Sequence, residues 1–130
     1  MKSWIKLHRS IRQWGWYKDS ITKSVFIELL LIANWKATEW HGIKLSVGDA
    51  VVGRKIMAFN LGISEQNVRT ALKHLELSGE ITKRAGRGFT VVHINNFKKY
   101  QECFEEKQRD GFGVGQRNGF IDEAEDDMPF

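Results

Sequence analysis

Gln66, Arg69, Thr70 and Lys73 recur at intervals of three and four within "SEQNVRTALKHLELSG". At about 100° per helical residue, counted from Val68, they fall near 160°, 100°, 200° and 140°. Leu72, Leu75 and Ala71 fall near 40°, 340° and 300°, so Val68 shares one compact apolar face with them. The opposite face carries two cations and two hydrogen-bonding groups. Arg and Gln can reach base edges in a major groove, and Lys and Thr can serve phosphates or bases. Ser64 suits the N-cap of this helix, with Asn67 in its first turn, and would aim the positive helix end at a backbone phosphate. This is chemistry for binding a polyanion and not for turnover. The folded part shows no carboxylate cluster set beside a base and no phosphate-cradling loop, and "GFGVG" lies in a charged, Gly-rich stretch. No enzyme activity and no cofactor are expected.

The elements around this helix follow from its neighbours. "WIKLHRSIRQW" has apolar residues at helical spacing and predicts a short helix, broken at "GWYKDS". Asp19 or Ser20 then caps a long helix through "ITKSVFIELLLIANW", apolar nearly all round and therefore expected at the centre of the core. "ATEWHGIKLSVGDAVVG" changes to short β-prone runs with turn residues at Gly42 and Gly48-Asp49. "RKIMAFNLG" predicts a short helix closed by Gly62, and Gly79 closes the helix capped by Ser64. "EITKR", "AGRG" and "FTVVHINNF" read as a β-hairpin with glycines at its tip, and "KKYQECFEEKQ" as a fraying helix. Short helix, Gly turn, second helix and hairpin is the order of a winged helix-turn-helix. The fold class expected is α+β, mainly α, with a small β-hairpin wing. Lys83, Arg84 and Arg87 flank the tip glycines and make the wing basic, suited to a minor groove or a phosphate backbone.

Charge is distributed unevenly along the 130 residues. Through Gln101 there are 17 Lys and Arg against 7 Asp and Glu, a balance of +10; from Glu102 there are 3 against 9, a balance of −6. A basic domain over residues 1–101 points to nucleic acid, here double-stranded DNA. Residues 102–121 read as a flexible linker and residues 122–130 as an acidic tip, with disorder expected from Asp110 onward. Cys103 is the single cysteine, and the four His are scattered, so neither a disulfide nor a metal site is indicated. No apolar run reaches the ~20 residues of a membrane span, no signal-peptide layout opens the chain and the cysteine is alone, so a reducing cytoplasm is the expected setting. Of the five Trp, most are expected in the core; one or two exposed ones could form a homodimer face.

"WIKLHRSIRQWGWYKD", "KSVFIELLLIANWK", "GISEQNVRTALKHLELSGEIT" and "NFKKYQ" together resemble the N-terminal winged-helix domain of phage replication initiators and replisome organizers of the DnaD type, over residues 1–101. The resemblance implies a DNA-binding, often self-associating domain of a phage or prophage replication protein. It places Gln66, Arg69, Thr70 and Lys73 on the recognition helix, where Ser64 and Asn67 are further candidate DNA contacts, and Lys83, Arg84 and Arg87 on the wing. The helical domain that follows in that family has no counterpart here, so helicase-loader contacts are not carried over. "SEQNVRTALKHLELSGEI" followed by "GRGFTV" also resembles GntR-type transcriptional regulators, which leaves a regulator as the alternative.

The closing "EDDMPF" resembles the C-terminal tip of bacterial single-stranded-DNA-binding proteins, acids followed by Ile-Pro-Phe. That resemblance implies a docking peptide: Phe130 fills a pocket on a host replication or repair protein, Met128 and Pro129 shape the approach, and Asp126 and Asp127 steer toward a basic rim. An adaptor or inhibitor competing for the same partners would use the same tip.

Overall fold

A computed structural model describes residues 4–103; residues 104–130, which hold most of the expected linker and all of the acidic tip, lie outside the described residues. Residues 4–8 form no helix, His8 is extended, and only Arg9–Gln13 forms a 3-10 turn. The cause is tertiary. The Lys6 N–H donates to Gln101 Oε1 at 2.8 Å, and Gln101 Nε2 donates back to the Lys6 carbonyl at 2.8 Å. Gln101 is buried, so its side-chain amide pairs with the chain as a neighbouring strand would. Two hydrogen bonds to the Lys6 backbone outweigh the small preference for helix. Of the apolar residues that suggested a helix, Ile11 is buried, whereas Trp4 and Leu7 are exposed.

Helix α1 spans Ser20–Ile32, and Asp19 caps it by accepting from the Thr22 N–H at 3.0 Å. Its buried face holds Thr22, Val25, Phe26, Leu29 and Leu30. Leu31 and Ile32 are exposed, so the helix is not buried all round as its composition suggested. One face packs on helix α3, and the sheet offers no second layer to cover the other.

After α1 the chain forms a hairpin of β1 (Thr38–Trp40) and β2 (Ile43–Leu45). His41 and Gly42, both at positive φ, make its two-residue turn. Strand β3 (Asp49–Val52) leads to helix α2 (Arg54–Leu61), which ends at Gly62 with φ 72°. Helix α3 (Glu65–Leu77) begins where Ser64 Oγ accepts from the Asn67 N–H at 3.0 Å. Strands β4 (Ile81–Ala85) and β5 (Thr90–Ile94) complete an antiparallel sheet in the order β3-β5-β4. Asp49 pairs with His93, and Ile81 with Ile94. Alternation turns Ala50, Val52, Ile81, Val92 and Ile94 into the core with Phe26, Leu29, Val68 and Leu75. A single π-helical turn at Lys99–Cys103 stands where a fraying helix was expected. The fold is thus α+β: α1 and α2 pack on α3, α3 adjoins β4, and the strands form two small antiparallel sheets. Trp14 is buried, Trp16, Trp35 and Trp40 are half-buried, and Trp4 is exposed.

Candidate functional site

The two faces of α3 separate as their spacing requires. Val68, Ala71, Leu72 and Leu75 are buried, and Gln66, Arg69, Thr70 and Lys73 are exposed. Along the exposed row Gln66 Nε2 donates to Thr70 Oγ1 at 3.2 Å, and Arg69 Nη1 donates to Gln66 Oε1 at 3.4 Å. Bonds this long at the surface are readily exchanged for a ligand's. Ser64 spends its oxygen on the cap, and Asn67 is half-buried beside it.

The three hairpin cations part company. Lys83 and Arg84 are successive residues of β4, so their side chains leave opposite faces of the sheet. Lys83 Nζ lies 3.3 Å from Glu76 Oε1 on α3. Arg84 Nη2 donates to the Lys44 carbonyl at 3.0 Å and stands 3.6 Å from Asp49 Oδ2. Arg87 alone occupies the turn between β4 and β5. That turn is fitted to one ring: a Cβ on Gly86 would lie 2.3 Å from Phe89 Cζ, and Phe89 meets Trp40 of the first hairpin at 5.0 Å between centroids and 80° between planes. The β1–β2 hairpin therefore braces the β4–β5 turn through Trp40–Phe89 and Lys44–Arg84.

Two groups escaped the reading of the sequence. Arg54 and Lys55 open α2 and line an open groove with Glu65 at the start of α3 and with Gly86, Gly88 and Phe89 of the hairpin. Their signal was present in "VVGRKIMAF", cations at a helix start beside a turn glycine. The groove shows that the α2 start, the α3 start and the hairpin tip stand together. The second group is Asp49, buried behind the sheet. It accepts from the Ser46 N–H at 2.9 Å, Ser46 Oγ at 3.2 Å and His93 Nδ1 at 2.8 Å. Because an ionised carboxylate only accepts, Nδ1 of His93 carries the proton of that bond. Burial pushes the Asp49 carboxyl up; the hydrogen bonds from Ser46 and His93 outweigh it and hold the group below the ordinary carboxylate value. This pair ties β3 to β5, and a separation of 44 residues hid it.

Among the described residues no group of three His, Cys, Asp or Glu could hold a metal ion, and no helix is long and apolar enough to cross a membrane. Asp126, Asp127, Met128, Pro129 and Phe130 lie outside the described residues. No family model, no curated protein and no solved structure matches the chain.

Proposed function

We propose that residues 1–101 form a winged helix-turn-helix that binds double-stranded DNA, with α3 in the major groove and the β4–β5 hairpin as its wing. The carrying observation is the exposed row Gln66, Arg69, Thr70 and Lys73, set opposite a fully buried apolar face. Arg54, Lys55 and the Arg87 turn stand at the α3 N-terminal end of that row, where phosphates flanking a groove would pass. The role that fits a basic domain joined to an acidic Met-Pro-Phe segment is a replication protein. It binds DNA through α3 and recruits a host replication or repair protein through residues 122–130.

The test of the DNA reading is a titration of the full chain with duplex DNA across salt concentrations. Neutralisation of about five phosphates gives a slope of log affinity on log salt of about −4 to −5. A slope near zero would replace DNA by a protein partner for the same face.

A further inference from the structure

Helix α2 exposes Phe59 to 86% and Ile56 to 69%, the first more than any other large apolar side chain among the described residues. At about 100° per residue the two lie within about 60° of each other, opposite the buried Met57 and Ala58. Lys55 is one turn before Phe59 on the same side, Arg54 stands at the helix start about 140° round from Phe59, and the helix sequence RKIMAFNL contains no acid. An apolar knob of this exposure with one cation beside it and a second at the helix start marks a docking surface. Pairing with the same face of a second copy would set these cations against one another, so the patch suits an acidic, aromatic ligand instead.

The chain carries such a ligand. Residues 122–127 hold five acids and lead directly into Met128, Pro129 and Phe130. The 20 residues between Gln101 and Asp122 reach up to about 66 Å in extension. A domain of about 100 residues has a radius of gyration of about 13 Å, so α2 is within range. Leu77, the next most exposed apolar residue among those described, adjoins the acid Glu76.

We infer that the outer face of α2 is a seat for the chain's own segment 122–130, Phe130 and Met128 packing on Phe59 and Ile56 while Asp126 and Asp127 meet Arg54 and Lys55. Intramolecular attachment supplies an effective concentration in the millimolar range, so a weak contact is populated. The seat shares Arg54 and Lys55 with the groove beside the hairpin tip, so the segment and a phosphate backbone compete for the same two cations. A partner that captures the segment frees them.

The test does not need DNA and so stands apart from the DNA reading. Amide 1H–15N spectra of the full chain are compared with those of the full-length variant D126N/D127N/F130A at equal low salt. Expected are shifts concentrated at residues 54–60. Phe59→Ser, at a site too exposed to unfold the helix, should abolish the difference between the acidic and neutralised chains. Unchanged α2 signals, shifts spread evenly over the domain's cations, or α2 signals that move with protein concentration in both chains would each overturn the proposal.

Discussion

Trp16 lies flat on His74, with ring centroids 4.3 Å apart and planes 8° apart. His74 sits on α3, one residue beyond Lys73, and its Nδ1 shares a 2.9 Å hydrogen bond with Thr22 Oγ1 and stands 3.5 Å from Asp19 Oδ2. Trp16 Nε1 donates to Ser78 Oγ at 3.0 Å, Ser78 Oγ donates to Glu80, and Glu80 Oε2 accepts from Trp14 Nε1 at 3.0 Å. The aromatic stretch ahead of α1 therefore clamps the C-terminal half of α3 at His74 and Ser78, on the flank of the Gln66–Lys73 row.

The clamp sets a graded stability prediction. Trp14→Ala removes a buried ring and leaves the buried Glu80 short of a donor, and should cost about 3–5 kcal/mol. Trp16→Ala removes a half-buried stack and should cost about 1–2 kcal/mol. Urea unfolding followed by circular dichroism checks both. Equal losses would mean that Trp14 does not occupy the core.

Along the exposed row of α3, Arg69→Ala and Lys73→Ala should each weaken duplex binding by about 1–3 kcal/mol, with thermal midpoints close to wild type. Arg87→Ala should lower affinity for all sequences alike and reduce the salt slope by about one. Lys83→Ala should do less, because Glu76 already engages that ammonium. Competition titrations with related and unrelated duplexes rank the four. A Lys83 effect equal to that of Arg87 would place the Lys83 side chain on the DNA.

What the sequence made legible was whatever carries a local signal. Asp19, Ser64 and Gly62 mark helix ends by their own chemistry, and the Val68–Leu75 face follows from period alone. Interactions distant along the chain stayed hidden. Residues 4–8 have helical spacing, yet they form no helix, and Gln101, 95 positions from Lys6, pairs with the Lys6 backbone. Lys83 and Arg84 look alike as neighbours in a basic cluster, and only the strand register sends one to Glu76 and the other to Lys44. Composition showed that α1 was apolar; it could not show that Leu31 and Ile32 would stand exposed among the described residues.

Acid should loosen both the β3–β5 pairing held by Asp49 and the start of α1 capped by Asp19. The folded-state pKa of Asp49 is depressed, so its contribution is fully present above the ordinary carboxylate value of about 3.9 and is lost as pH falls through the lower folded value. Asp19 is depressed in the same direction, chiefly by the Thr22 backbone hydrogen bond, and adds to the same limb. Asp49→Asn should lower stability at pH 7, because Ser46, His93 and Arg84 lose a charged acceptor. It should also flatten the decline between about pH 4 and pH 2. Thermal melts across that range provide the comparison. A mutant that declines as steeply as wild type would remove Asp49 from the acid response.

Gly86 gives the last prediction, because it couples the hairpin tip to the hairpin behind it. A methyl at residue 86 meets the Phe89 ring at 2.3 to 2.8 Å, so the ring must swing away. Phe89 is also the ring that meets Trp40, so moving it unseats the brace between the two hairpins. Gly86→Ala should therefore cost about 1–2 kcal/mol of stability, although the residue is exposed. It should weaken duplex binding by loosening the turn that holds Arg87. Phe89→Leu alone loses the Trp40 contact at a similar cost, but it also clears the space a methyl needs. The double variant should then be more stable than the sum of the single losses by at least about 0.5 kcal/mol. Strict additivity in a double-mutant cycle would show that the turn accommodates the methyl without moving Phe89, and the proposed bracing of the tip would fail with it.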